Sequence, residues 1–185
     1  VYGIGVALSA GQEGVERVRA AKRSPQDRPY ILLAASPEMA FALWSEVPLA
    51  ARILAWSEWP GPLTLVGPAR EGLPAGVLGA AERPGLDMME SVSTVSVRVP
   101  GDPALCQLIS RLGEPILSTS ANLAGAPAPL GYGALDLDAL APDLVLVSER
   151  CPGGLPSTVL TVVEEPPRVL RQGAWRPTLQ GGGEE

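Results

Sequence analysis

Four polar clusters interrupt an otherwise aliphatic chain, and each carries groups suited to holding anions. The first is Lys22-Arg23-Ser24-Pro25-Gln26-Asp27-Arg28-Pro29, where the cations Lys22, Arg23 and Arg28 can grip a phosphate. Its plainer reading is a helix end, at which basic side chains complement the dipole. The second is Thr94-Val95-Ser96-Val97-Arg98. Alternation puts Thr94, Ser96 and Arg98 on one face of a strand and Val95 and Val97 on the other. An arginine there is either solvated or in need of a partner, because an unpaired buried charge is costly. The third, Ser118-Thr119-Ser120-Ala121-Asn122, follows a short apolar run. Small hydroxyls and an amide at such a turn let backbone N–H groups approach an anion, although the same residues also make ordinary turns. The fourth pairs Ser157-Thr158-Val159-Leu160 with Arg171-Gln172-Gly173.

Other chemistries are excluded. The chain has no histidine, which removes Ser-His-Asp and Cys-His catalysis and imidazole metal ligation. Cys106 and Cys151 are far apart, lack a C-x-x-C spacing and read as ordinary thiols of a reducing compartment. No G-x-x-x-x-G-K-[ST], G-x-G-x-x-G or G-x-S-x-G occurs, so the common nucleotide and hydrolase loops are absent.

The 185 residues suffice for one domain with a substantial core. Hydrophobic residues make up 46% and aromatic residues only 4%, so that core must be aliphatic. A net charge of −6 disfavours broad nucleic-acid binding, which requires a basic face, but it permits a local basic pocket. No apolar stretch is long enough to span a bilayer and no signal peptide is visible, so a cytoplasmic protein is expected.

The elements that must position the clusters alternate between strand and helix. Val1 to Leu8 reads as the end of a strand. Ser9 and Gln12 have capping-box spacing before a helix reaching Lys22. Tyr30–Ala35 is a short buried strand. Ser36-Pro37 starts helical sequence that breaks near Pro48 and ends near Trp59. Leu63–Val66 and Val92–Val99 read as strands, as do Pro115–Leu117, Leu144–Val147, Ser157–Val163 and Arg168–Arg171. Asp102-Pro103 opens a helix to about Leu112. Residues 67–91 show no clear period and read as a long loop able to cover a site as a loose lid. The pattern predicts an α/β (α+β) domain over residues 1–175, with residues 176–185 as a flexible tail.

The order of the clusters carries more than any one of them. Val1-Tyr2-Gly3-Ile4-Gly5 is followed by Lys22 with Pro25 and Asp27-Arg28-Pro29. Next come Trp59-Pro60-Gly61-Pro62-Leu63-Thr64 and Thr94-Val95-Ser96-Val97-Arg98-Val99-Pro100. Thr119-Ser120-Ala121-Asn122-Leu123-Ala124-Gly125, Ser157-Thr158-Val159 and Arg171-Gln172-Gly173-Ala174 complete the series. This series resembles the YrdC-like family, whose best-known members are threonylcarbamoyl-AMP synthases. The resemblance implies a twisted, open mixed sheet flanked by helices, with a deep concave site. It also implies a nucleotidyltransferase that condenses L-threonine, bicarbonate and ATP, with Mg²⁺ on the phosphates, to threonylcarbamoyl-AMP and pyrophosphate. Downstream tRNA-modification proteins would then build threonylcarbamoyladenosine, with weak or no direct tRNA binding by this chain.

By matched position, Arg98, Ser118 and Ser157 resemble the threonine-side residues. Lys22, Arg28, Thr94, Ser120, Asn122 and Arg171 resemble the ATP side, and no metal ligand comes from a protein side chain. The family's Lys-x-Arg reads Lys22-Arg23-Ser24 here, so Ser24 replaces the motif arginine and Arg23 lies one position off. Ala124 stands where a small hydroxyl residue is common, and Leu33 where some members carry a histidine. A strand with Pro-Thr-x-Thr usually precedes the Val-Tyr-Gly, so the N-terminal strand is expected to be truncated. These departures leave open an alternative, a YrdC-like protein that binds a nucleotide or RNA without making the adenylate.

Overall fold

A computed structural model describes residues 2–24, 29–85, 89–147 and 155–176. The strands are β1 (Gly3–Ala7), β2 (Ile31–Leu33), β3 (Leu63–Pro68), β4 (Leu78–Pro84), β5 (Met89–Arg98), β6 (Ile116–Ser120), β7 (Thr158–Thr161) and β8 (Arg168–Arg171). The helices are α1 (Gly11–Lys22), α2 (Pro37–Phe41), α3 (Leu49–Glu58), α4 (Pro103–Leu112) and α5 (Leu137–Leu140). The strands form one open mixed sheet in the order β1-β6-β2-β5-β3-β7-β8. The β2–β5 and β3–β7 pairs are parallel and the other pairs antiparallel.

β5 organises the sheet because it is long enough to serve three neighbours. Val95 faces Gly67 of β3 on one edge and Leu78 of β4 on the other. Further along, Val97 and Arg98 pair with β2. β4 therefore takes over the edge that the short β2 leaves unpaired, which saves that edge from exposing its backbone groups.

The core lies on one face of the sheet. Leu32, Leu65, Val95, Val97 and Leu117 are buried there with Val15 and Val18 of α1, Ala51 and Ala55 of α3, and Trp44. Burying each large aliphatic side chain contributes about 1.5–3 kcal/mol. Trp44 sits so close over β3 that a Cβ on Gly67 would fall 2.6 Å from its ring. Small residues on α3 and β3 let helix, indole and sheet approach one another.

Several local expectations hold. The Ser36 side chain accepts from the Met39 amide with Pro37 in the first turn, and Asp102 caps α4 in the same way. Others are corrected. Ser9 does not cap α1: its N–H and hydroxyl both donate to the Glu114 carboxylate, at 2.6 and 2.7 Å. Gln12 accepts from the Gly76 N–H instead. Residues 67–91 are no structureless loop, since β4 and the start of β5 form an antiparallel ladder within them. Ser118 to Ser120 belong to β6 rather than to the turn after it. Leu144–Val147 is not a strand, and Leu144, Leu146 and Val147 are largely exposed. The Ser24–Pro29 segment except its ends, Cys151, and the tail except Arg176 lie outside the described residues.

Candidate functional site

The face of the sheet opposite the core carries a set of polar side chains among aliphatic ones such as Leu33, Ile116 and Val66, and strand register assembles it. Paired residues share a face. Arg98 pairs with Leu33, Leu33 with Ile116, Ile31 with Ser118, and Ser118 with Gly5. Ser120 pairs with Gly3, Ser96 with Val66, and Thr94 with Pro68 and Gly79. Thr94, Ser96, Arg98, Ser118 and Ser120 thus project from one side, while Val95, Val97 and Leu117 fill the core on the other. Thr64, two residues before Val66 on β3, lies on this same face. The pleat and the crossover order together bring residues far apart in sequence onto one surface.

Arg98 is the anchor of this surface. Its Nε donates to the Gly61 carbonyl at 2.8 Å. Burial pulls its pKa below the ordinary value, against a smaller opposing influence from Cys106. It remains a cation, because arginine does not lose its proton in proteins. Among the described residues no carboxylate pairs with it. The nearby Cys106 thiol donates to the Pro100 carbonyl at 3.1 Å, and burial, with help from Asp102, pushes its pKa up. That thiol is a neutral neighbour, not a nucleophile.

A second group gathers around β7, between β3 and β8. Ser157 and Thr64 are both buried, and their hydroxyls lie 2.8 Å apart. Arg171 Nη2 donates to the Ser157 carbonyl at 3.0 Å and to its hydroxyl at 3.4 Å. Burial lowers the Arg171 pKa as well. The hydroxyl of Thr158 accepts from the Gly173 N–H at 2.9 Å and donates to the Trp175 carbonyl at 2.6 Å. These bonds tie the segment after β8 to β7 and fix Arg171 beside Ser157.

The third group joins the end of α1 to the end of β6. Lys22 is only 5% exposed, and its ammonium donates to the Ser120 carbonyl. Burial lowers its pKa. The Lys22 carbonyl accepts from the Ala124 N–H at 2.9 Å. Asn122 Nδ2 donates to the carbonyls of Leu123 and Ala126, at 3.0 and 2.6 Å. Its Oδ1 is buried and accepts no hydrogen bond from the described residues. Arg23 adopts a left-handed conformation (φ 50°) at the end of α1 and is exposed, while the Ser24 amide donates to the Arg19 carbonyl at 3.1 Å. Arg28 lies outside the described residues.

The structure therefore joins Lys22 to Ser120, and Ser157 to Arg171, and sets Thr94, Arg98, Ser118 and Ser120 on a common face. Two cavities, of about 410 and 510 Å³, lie elsewhere. One is lined by Glu46, Arg83 and Glu165, the other by Ser9, Arg70 and Glu114. Sequence reasoning quoted Gly61 and Thr64 only as part of a series and gave them no role. The signal for Thr64 was its place: a hydroxyl among Leu63, Leu65 and Val66, on a strand too apolar to hold one idly.

A model of the Sua5/YciO/YrdC family, described as telomere recombination, matches residues 1–173. The chain belongs to the Sua5/YciO/YrdC family. It is 36% identical over 181 residues to the threonylcarbamoyl-AMP synthase of Pyrococcus abyssi, covering 94% of this chain and 48% of that protein. With the threonylcarbamoyl-AMP synthase of Bacillus subtilis it shares 33% identity over 177 residues, 94% of this chain and 47% of that one. The crystal structure of P. abyssi Sua5 complexed with L-threonine superposes with a TM-score of 0.76 at 35% identity, covering 94% of this chain and 48% of that chain. Escherichia coli YciO shares the fold, with a TM-score of 0.70 at 24% identity over 93% of this chain and 78% of that one. The Sua5/YciO/YrdC domain described here spans about half the length of the curated relatives it matches.

Proposed function

We propose that the chain acts as a threonylcarbamoyl-AMP synthase. It would condense L-threonine, bicarbonate and ATP to threonylcarbamoyl-AMP and pyrophosphate, feeding tRNA threonylcarbamoyladenosine formation through partner proteins. The observation that carries this reading is Arg98: a largely buried guanidinium on the polar face, steadied by Gly61, with no carboxylate of the described residues beside it. A bidentate bond to the carboxylate of an amino acid suits that group.

The chemistry suits the residues present. The threonine amine and bicarbonate form a carbamate with loss of water. A carbamate oxygen attacks the α-phosphorus of ATP, the bond to the β-phosphate oxygen breaks, and pyrophosphate leaves. Such a transfer rests on orientation and charge stabilisation rather than on a protein nucleophile. Arg98, Ser118 and Ser157 would hold threonine. Lys22, Arg28, Thr94, Ser120, Asn122 and Arg171 would hold ATP. The contact of Arg171 with Ser157 supports this division, because the two substrates must touch where they react. Among the described residues no three Asp, Glu, Cys or His side chains cluster to bind a metal. Mg²⁺ would enter as the companion ion of the ATP phosphates. No helix of the described residues is long and apolar enough to cross a membrane.

The test is pyrophosphate release and adenylate formation from labelled bicarbonate, threonine and ATP. Product that requires threonine and falls at least about 100-fold in Arg98→Ala is expected, as befits loss of a charge-assisted bidentate bond. ATP binding with no threonine-dependent product would instead favour a nucleotide-binding relative that makes no adenylate. The serine at position 24, in place of the family's arginine, is the observation on that side.

A further inference from the structure

Thr64 is wholly buried in the middle of the sheet, yet its hydroxyl faces the polar side. Among the described residues the only partner of that hydroxyl is Ser157 Oγ at 2.8 Å. Either hydroxyl could donate by geometry alone. Thr64 is assigned as the donor, because it is 0% exposed whereas Ser157, at 5%, keeps the access through which a ligand can accept its proton. Ser157 Oγ receives a second hydrogen bond from Arg171 Nη2. A serine oxygen has two lone pairs and one proton. With both lone pairs engaged, the proton of Ser157 is directed to an acceptor supplied by a ligand. Alternation along β3 puts Thr64 on the same face as Val66, which pairs with Ser96, and so on the face of β5 that carries Arg98.

We infer that Thr64 is a positioning residue. It turns Ser157 into an obligate hydrogen-bond donor, which binds a carboxylate oxygen of the amino-acid substrate alongside Arg98. The inference rests on the synthase reading and adds to it a residue that touches no substrate and a direction for the Ser157 hydrogen bond. Arg171 holds the other lone pair of the same oxygen. Ser157 is thereby the point at which the amino-acid side of the site feels the nucleotide side.

The experiment is calorimetric titration of the whole chain with L-threonine and, separately, with ATP. The variants are Thr64→Val, Thr64→Ser, Ser157→Ala and the double variant Thr64→Val/Ser157→Ala. Valine keeps the shape and removes the hydroxyl, and serine keeps the hydroxyl. Thr64→Val is expected to weaken L-threonine binding about tenfold while leaving ATP binding within about twofold. Thr64→Ser should stay within about twofold of the wild type for both ligands. In the Ser157→Ala background Thr64→Val should have no further effect, because its action runs through that one oxygen. Additive losses in the double variant, equal losses from serine and valine, or an unchanged threonine affinity in Thr64→Val would each overturn the inference and leave the synthase reading standing. A wild-type chain that binds no L-threonine would overturn both. If Thr64→Val does not fold, Thr64→Cys offers a weak donor of similar volume, and the same pattern is required of it.

Discussion

The Nε of Arg98 and the carbonyl oxygen of Gly61 are 2.8 Å apart, so the guanidinium is held by the backbone of a turn rather than by a carboxylate. That turn is tight. Gly61 donates its own N–H to the Val99 carbonyl at 2.9 Å, one residue past Arg98. The turn and the end of β5 therefore hold each other. One nitrogen of Arg98 is committed to the protein, and the remaining N–H groups of the fork stay available to a planar anion.

Gly61→Ala should separate position from charge. A Cβ at this residue would lie 2.3 Å from the Glu58 carbonyl oxygen, so the turn must move and carry the acceptor of Arg98 with it. We expect a stability loss of about 1–3 kcal/mol, as for other overpacked sites. L-threonine binding should weaken about tenfold although every charged group is retained, since a small misplacement of a positioning group is enough. Chemical denaturation and calorimetry measure the two effects. Unchanged threonine affinity in a folded Gly61→Ala protein would show that Arg98 does not depend on this turn.

Lys22→Met should separate binding from stability in the opposite way. Burial lowers the Lys22 pKa from its ordinary 10.5, so the native state carries this charge at a cost. The sign follows from linkage. Below its native pKa the lysine is charged both folded and unfolded, and the cost is felt in full. As pH rises from there to 10.5 the native state has already lost the proton and the cost is relieved. Methionine removes this cost together with the bond to Ser120, so stability at neutral pH should change by less than about 1 kcal/mol. The wild type should gain on the variant as pH rises toward the alkaline end. ATP affinity should fall at least about tenfold if Lys22 faces the phosphates as proposed. Thermal melts across pH and nucleotide titrations check both.

Much of this architecture was legible in the residues. The alternation of Thr94, Ser96 and Arg98 with Val95 and Val97 told both the strand and its polar face, because a strand has a period of two. Ser36-Pro37 and Asp102-Pro103 marked helix starts through local capping chemistry. The failures share a cause, which is that local pattern is blind to long-range partners. Ser9 and Gln12 have capping spacing, but Glu114 takes both Ser9 donors from across the sequence. Leu144–Val147 looks like a strand, yet no strand of the described residues pairs with it, and hydrophobic composition alone does not make a ladder. β4 was missed because Gly79, Ala80 and Ala81 carry little hydrophobic signal, and its place is set by the free edge of β5. The sequence offered candidate site residues without their mutual placement. That Thr64 and Gly61 hold those groups in place required the register.

Glu114→Ala tests the long-range cap. Its carboxylate accepts from the Ser9 N–H and hydroxyl and so links the turn before α1 to the residue just beyond α4. Ser9 is exposed and Glu114 half-buried, so the effect is that of a single cap near the surface, about 1 kcal/mol. In a domain of this size that corresponds to a melting-temperature drop of about 2–4 °C. Ser9→Ala should cost less, because the backbone N–H bond survives, and the double variant should cost no more than Glu114→Ala alone. A double variant whose losses simply add would mean that Ser9 and Glu114 do not act as a unit.

Ser24→Arg tests whether the missing cation limits nucleotide binding. The Ser24 amide is fixed to the Arg19 carbonyl, and two residues before it Lys22 is bound both to Ser120 and to the turn at Ala124. An arginine at position 24 therefore starts from an anchored backbone next to the proposed ATP side. Arg23 starts one position away, on a left-handed backbone (φ 50°), and is exposed. Ser24→Arg should tighten ATP binding about threefold to tenfold at low salt, with a smaller gain as ionic strength rises, since a surface cation is screened. L-threonine affinity should not change, and stability should stay within about 0.5 kcal/mol. The comparison that decides is Ser24→Arg against Ser24→Lys. A bidentate phosphate contact favours arginine clearly over lysine, whereas a general electrostatic gain would make the two equal and would place position 24 outside the nucleotide site.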